Sequence, residues 1–421
     1  MDKIIVEGGK RLHGELTLSG AKNAALPILA ATLLTDETSV IENVPPLRDV
    51  FSMLKLLKSL GVRYTFENET ITIKPSRSLK HTASYKLVST MRASFCVLGP
   101  LLARLGKADV SLPGGCVIGP RPIDLHLKGL QDLGARITLD GGYVKTSCKK
   151  MTGAEIYLGG AFGSSVLATA NVMMAATLAK GTTLIENAAC EPELADLSRF
   201  LNKMGAKIEG AGSHLIKITG VKKLHGAHFR IIPDRIETGT YLIAATMAGG
   251  DVLLRDVVPE HNSVLIDKLK QAGASIKKTR STIRIAKRSR VLKPVNITTL
   301  PYPGFPTDLQ AQMMALMCIT PGISVITEKI YPERFMHISE LNRMGAHIFL
   351  EGASGIVNGI KTLSGAPVMA SDLRASAALV LAALVAKGRS EIYRVYHLDR
   401  GYYKIEEKLR SLGANIWREK E

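Results

Sequence analysis

The sequence contains little of what marks several common classes of protein. It has five widely scattered cysteines and no Cys-x-x-Cys pair. These features predict neither a zinc site nor a disulfide framework, and we expect no metal and no other cofactor. No apolar run reaches the roughly 18–20 residues of a membrane span, and the three-residue run Ile4-Ile5-Val6 follows an acid, unlike a signal peptide. We therefore expect a cytoplasmic protein without a membrane span.

Aromatic residues are also scarce, at 5% of the chain. The formal net charge is nevertheless +18, from 55 Lys and Arg against 37 Asp and Glu. A positive field of this size attracts anions. No basic run is interleaved with aromatic side chains that could stack on bases, so we do not expect nucleic acid as a partner. Small phosphorylated or carboxylated substrates are favoured instead.

What the chain does contain is an internal repeat. A helix-like segment that ends in Gly and continues into a strand occurs six times, with intervals of 73, 71, 68, 72 and 68 residues between its glycines. Those glycines are Gly61, Gly134, Gly205, Gly273, Gly345 and Gly413. Gly just after a helix end supplies a left-handed cap. An Ala-rich apolar helix followed by a β-branched strand recurs at the same spacing, as in residues 24–34, 95–105 and 241–248.

The repeat predicts an α/β fold of six units, each of about 70 residues and each ordered strand, helix, strand, helix, strands. Because the Ala-rich helices are apolar on nearly all sides, we expect them inside and the sheets outside. The first strand has no unit of its own and the last unit lacks a hairpin. We therefore predict one domain over 20–229 and a second that combines 1–19 with 230–421. Two chain crossings would create a hinge and a substrate cleft between them.

Charged residues recur at two phases of the repeat. Three cations come at or near the start of Ala-rich helices: Lys22, Arg92 and Arg374. Cations there oppose the helix dipole, which suggests a prepared anion site. The polar residues at the same phase could instead be ordinary N-caps, namely Ser19, Ser371 and Asp372.

The second phase is the loop after the β-branched strand. In residues 111–124 this loop is rich in Gly and Pro and carries Cys116 and Arg121. A cation near a thiol lowers the pKa of that thiol, so the loop could present a reactive cysteine. Arg334 and Arg400 lie at the same phase in later units. The alternatives are a surface turn with an incidental cysteine and solvated loop charges.

At these residues the chain resembles, along its full length, the UDP-N-acetylglucosamine enolpyruvyl transferases (1-carboxyvinyltransferases). The matching motifs are residues 19–27, 91–94, 112–122, 233–239, 305–308, 334–337, 371–376 and 399–402. The resemblance implies two inside-out α/β barrel domains, each of three βαβαββ units. It also implies transfer of the enolpyruvyl group of phosphoenolpyruvate to the 3′-hydroxyl of UDP-N-acetylglucosamine, with release of phosphate. This is the first committed step of peptidoglycan synthesis, which supports the cell wall, cell shape and cell division.

The resemblance assigns roles to residues of this chain. Phosphoenolpyruvate would be held by Lys22, Arg92, Arg121 and Arg400, with Arg334 and Arg374 nearby. Asn23 would hydrogen-bond the reacting substrates, Asp308 would take the hydroxyl proton, and Asp372 would lie beside the reacting centre. Cys116 would donate a proton, form an adduct with phosphoenolpyruvate and be alkylated by fosfomycin. An acid, a base and several cations suit an addition to a double bond in an anionic substrate.

The UDP-sugar would be held by Arg121, Asp124, Leu125, His126, Ser164, Ser165 and Val166. At this turn the chain departs from the family, which usually carries Gly where this chain has Leu167. Three alternatives remain. One is the shikimate-pathway enolpyruvyl transferase, which lacks the Pro-Gly-Gly-Cys loop. The others are a non-catalytic paralogue and a basic scaffold that binds polyanions. We expect a monomer.

Overall fold

The computed structural model describes residues 2–114, 122–161, 163–288 and 292–420, and these form two compact units. The N-terminal unit comprises the described residues between 20 and 232. The C-terminal unit comprises those up to Ser19 and from Pro233 onward. No helix in the described ranges is long and apolar enough to cross a membrane.

The chain begins with two strands of the C-terminal unit, β1 (Asp2–Glu7) and β2 (Leu12–Thr17). The strands of the N-terminal unit are β3 (Ser39–Glu42), β4 (Arg63–Glu67), β5 (Thr70–Lys74), β6 (Thr82–Ala83), β7 (Lys107–Ser111), β8 (Arg136–Asp140), β9 (Tyr143–Ser147), β10 (Glu155–Tyr157), β11 (Gly159–Gly160), β12 (Gly163–Ser164), β13 (Thr182–Glu186), β14 (Lys207–Glu209), β15 (Leu215–Thr219) and β16 (His228–Arg230). Its α-helices are α1 (Lys22–Ala31), α2 (Arg48–Ser59), α3 (Tyr85–Val88), α4 (Leu98–Leu105), α5 (Asp124–Asp132), α6 (Val166–Ala176) and α7 (Pro192–Lys203), and its 3₁₀-helices are Thr32–Leu34 and Arg92–Val97.

The remaining strands of the C-terminal unit are β17 (Gly250–Arg255), β18 (Ala274–Lys278), β19 (Thr282–Arg288), β20 (Ile297–Thr298), β21 (Gly322–Thr327), β22 (His347–Glu351), β23 (Ser354–Gly359), β24 (Pro367–Met369), β25 (Arg389–Tyr393) and β26 (Asn415–Lys420). Its α-helices are α8 (Arg235–Ala248), α9 (Ser263–Gln271), α10 (Gln310–Cys318), α11 (Ile338–Arg343), α12 (Leu373–Val385) and α13 (Ile405–Ser411), and its 3₁₀-helices are Pro259–Asn262, Thr307–Leu309 and Val395–Arg400.

Each unit contains three four-stranded sheets of one design. In the N-terminal unit the strand orders are β16-β3-β5-β4, β6-β7-β9-β8 and β10-β13-β15-β14. In the C-terminal unit they are β2-β17-β19-β18, β20-β21-β23-β22 and β24-β25-β1-β26. In every sheet the edge strand named first pairs in parallel with its neighbour, and the other pairings are antiparallel. The predicted sixfold repeat is thus confirmed.

The first strand of the chain completes the last sheet. β1 pairs antiparallel with β25 (Ile4 opposite Ile392) and with β26 (Ile5 opposite Trp417). It occupies the position that the second strand of a hairpin fills in the other five sheets. The predicted pairing of this strand with the final unit is therefore confirmed.

The apolar helices lie at the centre of each unit. In the C-terminal unit α8, α10 and α12 pack on one another, and α12 is buried from Arg374 to Leu384. In the N-terminal unit α1 and α6 are buried along nearly their whole length, and α4 packs on α6. A helix that is apolar on all sides can remove its side chains from water only in such a core. Helices inside and sheets outside are confirmed for both units.

The central helices begin earlier than their apolar residues suggest. α8 begins at Arg235, six residues before the predicted start, because the side chain of Asp234 accepts hydrogen bonds from two backbone N–H groups of the first turn. The predicted helix 95–105 is a 3₁₀-helix from Arg92 followed by α4. Several candidate site residues lie in these polar first turns, namely Lys22, Asn23, Arg92, Val166 and Arg374.

Candidate functional site

In the C-terminal unit, Asp308 lies between two arginines. Its Oδ1 accepts a hydrogen bond from Arg334 Nη1 at 2.9 Å, and its Oδ2 accepts one from Arg374 Nη2 at 3.0 Å. Arg334 is only 6% exposed and Arg374 only 3%. Burial alone would raise the pKa of Asp308, but the two guanidinium charges outweigh it and hold that pKa well below its usual range. The carboxylate is therefore ionised at any physiological pH.

The positions of Asp308 and Arg374 are set by the starts of two helices, and that of Arg334 by the buried side chain of Glu328. Asp308 lies on the 3₁₀-helix that leads into α10, and Arg374 lies in the first turn of α12. Arg334 follows β21, in a segment held by Glu328, which accepts hydrogen bonds from Ile330 N (2.8 Å) and Tyr331 N (3.0 Å).

Thr307 connects Glu328 to Arg334. Its hydroxyl donates to Glu328 Oε2 at 2.8 Å and accepts from Arg334 Nη1 at 2.9 Å. The buried carboxylate thus fixes both the loop and the arginine. Thr307 lies in the 305–308 motif but was given no role, and nothing in the local sequence distinguishes Glu328 from ordinary strand and loop residues.

Two of the possible N-caps have different outcomes. Asp372 caps α12, since its Oδ1 accepts from Arg374 N (2.8 Å) and Ala375 N (3.1 Å). Its capping role is confirmed. The cap of α1 is Ala21, which has no side-chain hydrogen bond. Ser19 Oγ instead accepts from Lys408 Nζ at 2.7 Å, so capping by Ser19 is wrong.

Arg400 is half-buried at the end of the 3₁₀-helix Val395–Arg400. The preceding Asp399 accepts two hydrogen bonds from Arg418 on β26, at 2.7 and 3.0 Å. Arg418 Nε also donates to Glu406 at 2.8 Å. A bidentate guanidinium–carboxylate pair has a fixed geometry, so the backbone next to Arg400 is tied to the last strand.

In the N-terminal unit, Lys22 is the first residue of α1 and is buried. Its Nζ donates to Asp49 Oδ2 at 3.0 Å, and Asp49 is buried as well. The sequence analysis did not predict Asp49 as a site residue. Asp49 lies on α2, whose polar residues are typical of a surface helix. Asn23 is half-buried on the first turn of α1, and Arg92 is half-buried at the start of its 3₁₀-helix.

The residues predicted to hold the UDP-sugar fall on two adjacent segments of this unit. Asp124 is exposed and Leu125 half-buried on the first turn of α5. Leu125 lies against the β11–β12 ribbon, since a Cβ at Gly160 would stand 3.3 Å from Leu125 Cδ1. Ser164 ends this ribbon. Ser165 caps α6 by accepting from Ala168 N at 3.3 Å. Val166 and Leu167 are half-buried in the first turn of that helix.

His126 has a different environment from its neighbours. Its imidazole is buried, its Nδ1 accepts from Asn171 Nδ2 at 2.9 Å, and it packs edge-on against Phe95. Burial, with a smaller contribution from the charge of Arg92, lowers the pKa of His126 to about 3. The ring is therefore a neutral group packed in the core.

Cys116 and Arg121 lie outside the described residues. Of the cysteines within them, Cys96 and Cys318 are fully buried, and burial raises the pKa of each thiol to about 12. Burial also raises the pKa of Cys190. In the described ranges no three His, Cys, Asp or Glu side chains are grouped so that they could hold a metal ion.

Two solved enolpyruvyl transferases share this fold. The enolpyruvyl transferase NikO from Streptomyces tendae matches with a TM-score of 0.88 at 24% identity, covering 99% of this chain and 98% of its own. EPSP synthase from Acinetobacter baumannii matches with a TM-score of 0.76 at 18% identity, over the full length of both chains. At these identities the likeness establishes the fold.

Sequence relatives are much closer. UDP-N-acetylglucosamine 1-carboxyvinyltransferase of Methylacidiphilum infernorum is 56% identical over 99% of both chains. The enzyme of the same name from Myxococcus xanthus is 55% identical over the full length of both. The family model for EPSP synthase (3-phosphoshikimate 1-carboxyvinyltransferase) matches residues 6–409. The chain belongs to this family of carboxyvinyltransferases.

The buried neutral state of His126 predicts a pH-dependent stability. Its pKa is lower in the folded protein than the usual 6.5 of an unfolded chain, so protonation favours unfolding. Stability from this group is complete above about pH 6.5 and falls with decreasing pH, by about 2 kcal/mol between pH 7 and pH 5. Denaturant unfolding of wild type and His126→Gln at the two pH values measures this difference.

The control is His347→Gln, which replaces an exposed histidine on β22. Its unfolding free energy should follow that of the wild type at both pH values. Equal pH dependence in wild type and His126→Gln would show that His126 is not held neutral.

Proposed function

We propose that the protein transfers the enolpyruvyl group of phosphoenolpyruvate to the 3′-hydroxyl of UDP-N-acetylglucosamine and releases phosphate. The observation that carries this proposal is the full-length identity above 50% to enzymes named for that acceptor. The ionised Asp308 between two buried arginines supports it, because the reaction needs a base next to cations. The reaction would serve peptidoglycan synthesis and so the cell wall, cell shape and division, in the cytoplasm and as a monomer.

The reaction is an addition followed by an elimination. The sugar oxygen bonds to carbon 2 of phosphoenolpyruvate and loses its proton, while carbon 3 gains a proton. Carbon 3 then gives up a proton and phosphate leaves carbon 2, which restores the double bond. An acid and a base on opposite partners are therefore required. We assign the base to Asp308 and the acid to Cys116, with Asn23 hydrogen-bonding the reacting groups.

A carboxylate of low pKa is a weak base in its resting state. As the sugar oxygen bonds to carbon 2, however, its O–H takes on oxonium character and becomes strongly acidic. Asp308 can then accept the proton despite the two guanidinium groups that depress its pKa. Those groups also keep the carboxylate ionised and fix both its oxygens.

Phosphoenolpyruvate carries a carboxylate and a phosphate. We assign its binding to Lys22, Arg92, Arg121 and Arg400, with Arg334 and Arg374 close to the base. Guanidinium groups bind both anions in bidentate geometry. Lys22 is held ready by Asp49, which keeps its charge compensated while it is buried.

We assign the UDP-sugar to the segments around α5 and α6. Backbone N–H groups at the start of α6, next to Ser164, Ser165 and Val166, suit a diphosphate. Asp124, Leu125, Arg121 and the backbone of His126 would complete the contacts. Leu167 would limit how closely the diphosphate approaches this helix.

Phosphate release tests the proposed acceptor. The protein is expected to release phosphate from phosphoenolpyruvate only when UDP-N-acetylglucosamine is present, with enolpyruvyl-UDP-N-acetylglucosamine as the product in mass spectrometry. Shikimate 3-phosphate is the matched control acceptor, because the family model bears the name of that reaction. Turnover with shikimate 3-phosphate and none with UDP-N-acetylglucosamine would contradict the proposal.

Asp308→Asn should lower kcat by about 10² or more, the usual contribution of a general base. The amide has nearly the same size as the carboxylate but is a much weaker base, so it cannot take the proton of the sugar hydroxyl. Asp251→Asn is the control, since Asp251 is a half-buried residue on β17 that pairs with Arg284. Near wild-type kcat in Asp308→Asn would remove Asp308 from the role of base.

Fosfomycin should add once to the wild-type protein, at Cys116, and abolish phosphate release. The pKa values of Cys96, Cys190 and Cys318 are raised by burial, so their thiolates are scarce. Peptide mass spectrometry locates the adduct. Cys116→Ala should take up no fosfomycin, whereas Cys148→Ser should be labelled like the wild type. An adduct on another cysteine in both variants would refute this assignment.

A further inference from the structure

The hydroxyl of Tyr402 lies where the three central helices of the C-terminal unit meet. It is 2.8 Å from Thr240 Oγ1 on α8, 3.2 Å from Gln312 Nε2 on α10 and 3.1 Å from Arg374 Nη1 on α12. Tyr402 is only 2% exposed. None of the roles proposed above involves this residue.

The partners determine the direction of two of these hydrogen bonds. Arg374 presents only N–H groups, which can only donate, so the Tyr402 oxygen accepts from its Nη1. Gln312 Nε2 carries two hydrogens for three nearby oxygens, namely Asp308 O at 3.0 Å, the Tyr402 hydroxyl at 3.2 Å and Thr240 Oγ1 at 3.3 Å. The proton of Tyr402 is then directed to Thr240. Thr240 in turn donates to the carbonyl of Ile236 at 2.8 Å, which leaves its oxygen free to accept. The Tyr402 hydroxyl therefore accepts from Arg374 and donates to Thr240.

Arg374 links Tyr402 to the carboxylate of the proposed base, whereas Gln312 Nε2 contacts Tyr402 and the backbone carbonyl of Asp308 (3.0 Å). One terminal nitrogen, Nη1, donates to Tyr402, and the other, Nη2, donates to Asp308 Oδ2. The guanidinium carbon also lies 5.4 Å from the centre of the Tyr402 ring. Because a guanidinium group is planar and rigid, fixing one nitrogen fixes the direction in which the other points.

We propose that Tyr402 is a positioning residue, which orients Asp308 through Arg374. The inference rests on the proposed function, in which Asp308 takes the proton of the sugar hydroxyl. Without the tyrosine hydroxyl, Arg374 Nη1 loses a buried acceptor, and the guanidinium rotates to find another. Asp308 then moves with its partner, which misplaces the base relative to the attacking oxygen.

A second buried tyrosine provides a matched control. Tyr241 is the neighbour of Thr240 on α8 and is 1% exposed, yet its hydroxyl has no hydrogen-bond partner among the described residues. Tyr241→Phe and Tyr402→Phe remove the same atom from similarly buried rings in one unit. Only the second change removes hydrogen bonds, and it retains the ring that packs on Arg374.

The experiment compares phosphate release by wild type, Tyr402→Phe and Tyr241→Phe at saturating substrates. Tyr402→Phe is expected to lower kcat by roughly 10- to 100-fold, the effect of misplacing a catalytic group by about 1 Å. Its KM values should stay within about threefold of the wild type, because Tyr402 does not touch substrate. Tyr241→Phe should retain wild-type kcat. Thermal unfolding and titration with UDP-N-acetylglucosamine establish that each variant is folded and binds.

A double-mutant cycle tests the route through Arg374. Lysine at position 374 keeps a positive charge but has one nitrogen, which cannot hold Tyr402 and Asp308 as the guanidinium does. On the Arg374→Lys background, Tyr402→Phe should therefore change kcat by less than about threefold. A purely structural role would lower kcat by the same factor on both backgrounds.

The outcomes separate this inference from the function on which it rests. Wild-type activity combined with equal kcat in Tyr402→Phe and Tyr241→Phe would overturn the positioning role alone. The positioning role would also be overturned if Tyr402→Phe lowered kcat by the same factor on the Arg374→Lys background as in the wild type. A wild-type protein without phosphate release in the presence of UDP-N-acetylglucosamine would overturn the proposed function, and the inference with it.

Discussion

The ionic contact of Asp308 with Arg334 and Arg374 is the constraint on which the C-terminal unit depends. Two guanidinium groups are nearly removed from water there, and a buried charge without a partner is strongly destabilising. Breaking such a pair by deleting one partner costs about 3–5 kcal/mol. The carboxylate must therefore lie where both arginines reach it. The same contact that compensates two buried charges also holds an ionised carboxylate that is only partly buried.

The architecture explains why polar chemistry gathers at the starts of helices. The bodies of α8, α10 and α12 are enclosed by sheets and by one another, so their middles admit almost only apolar side chains. At the first turn the backbone N–H groups lack intrahelical partners and need acceptors. Asp234 and Asp372 meet that need as caps. Arg374 and Asp308 share these turns, so capping and the proposed chemistry occupy neighbouring residues.

Buried polar contacts give different environments to residues for which the sequence predicts the same role. Asp124, Leu125 and His126 are consecutive, and all three were predicted to hold one substrate. The rotation of α5 turns His126 into the core against Asn171, while Asp124 stays exposed. Likewise the sequence predicts Lys22 as a cation at a helix start, and the structure pairs it with the carboxylate of Asp49 on the next helix. In each case a residue from a distant segment decides the role.

The sequence by itself determined the sixfold repeat, the class of fold and the two phases of the repeat at which Lys22, Arg92 and Arg374 and, separately, Arg334 and Arg400 occur. These features were readable because glycine caps, apolar helices and β-branched strands are local signals. It also determined that β1 must find a partner late in the chain, since the last unit lacks a strand. Only the tertiary structure decided that Asp308 joins two arginines, that Asp49 pairs with Lys22 and that Tyr402 connects three helices. Such contacts join segments 26 to 162 residues apart, and their energy depends on burial and on geometry within a few tenths of an ångström. Neither quantity is encoded at any single position of the chain.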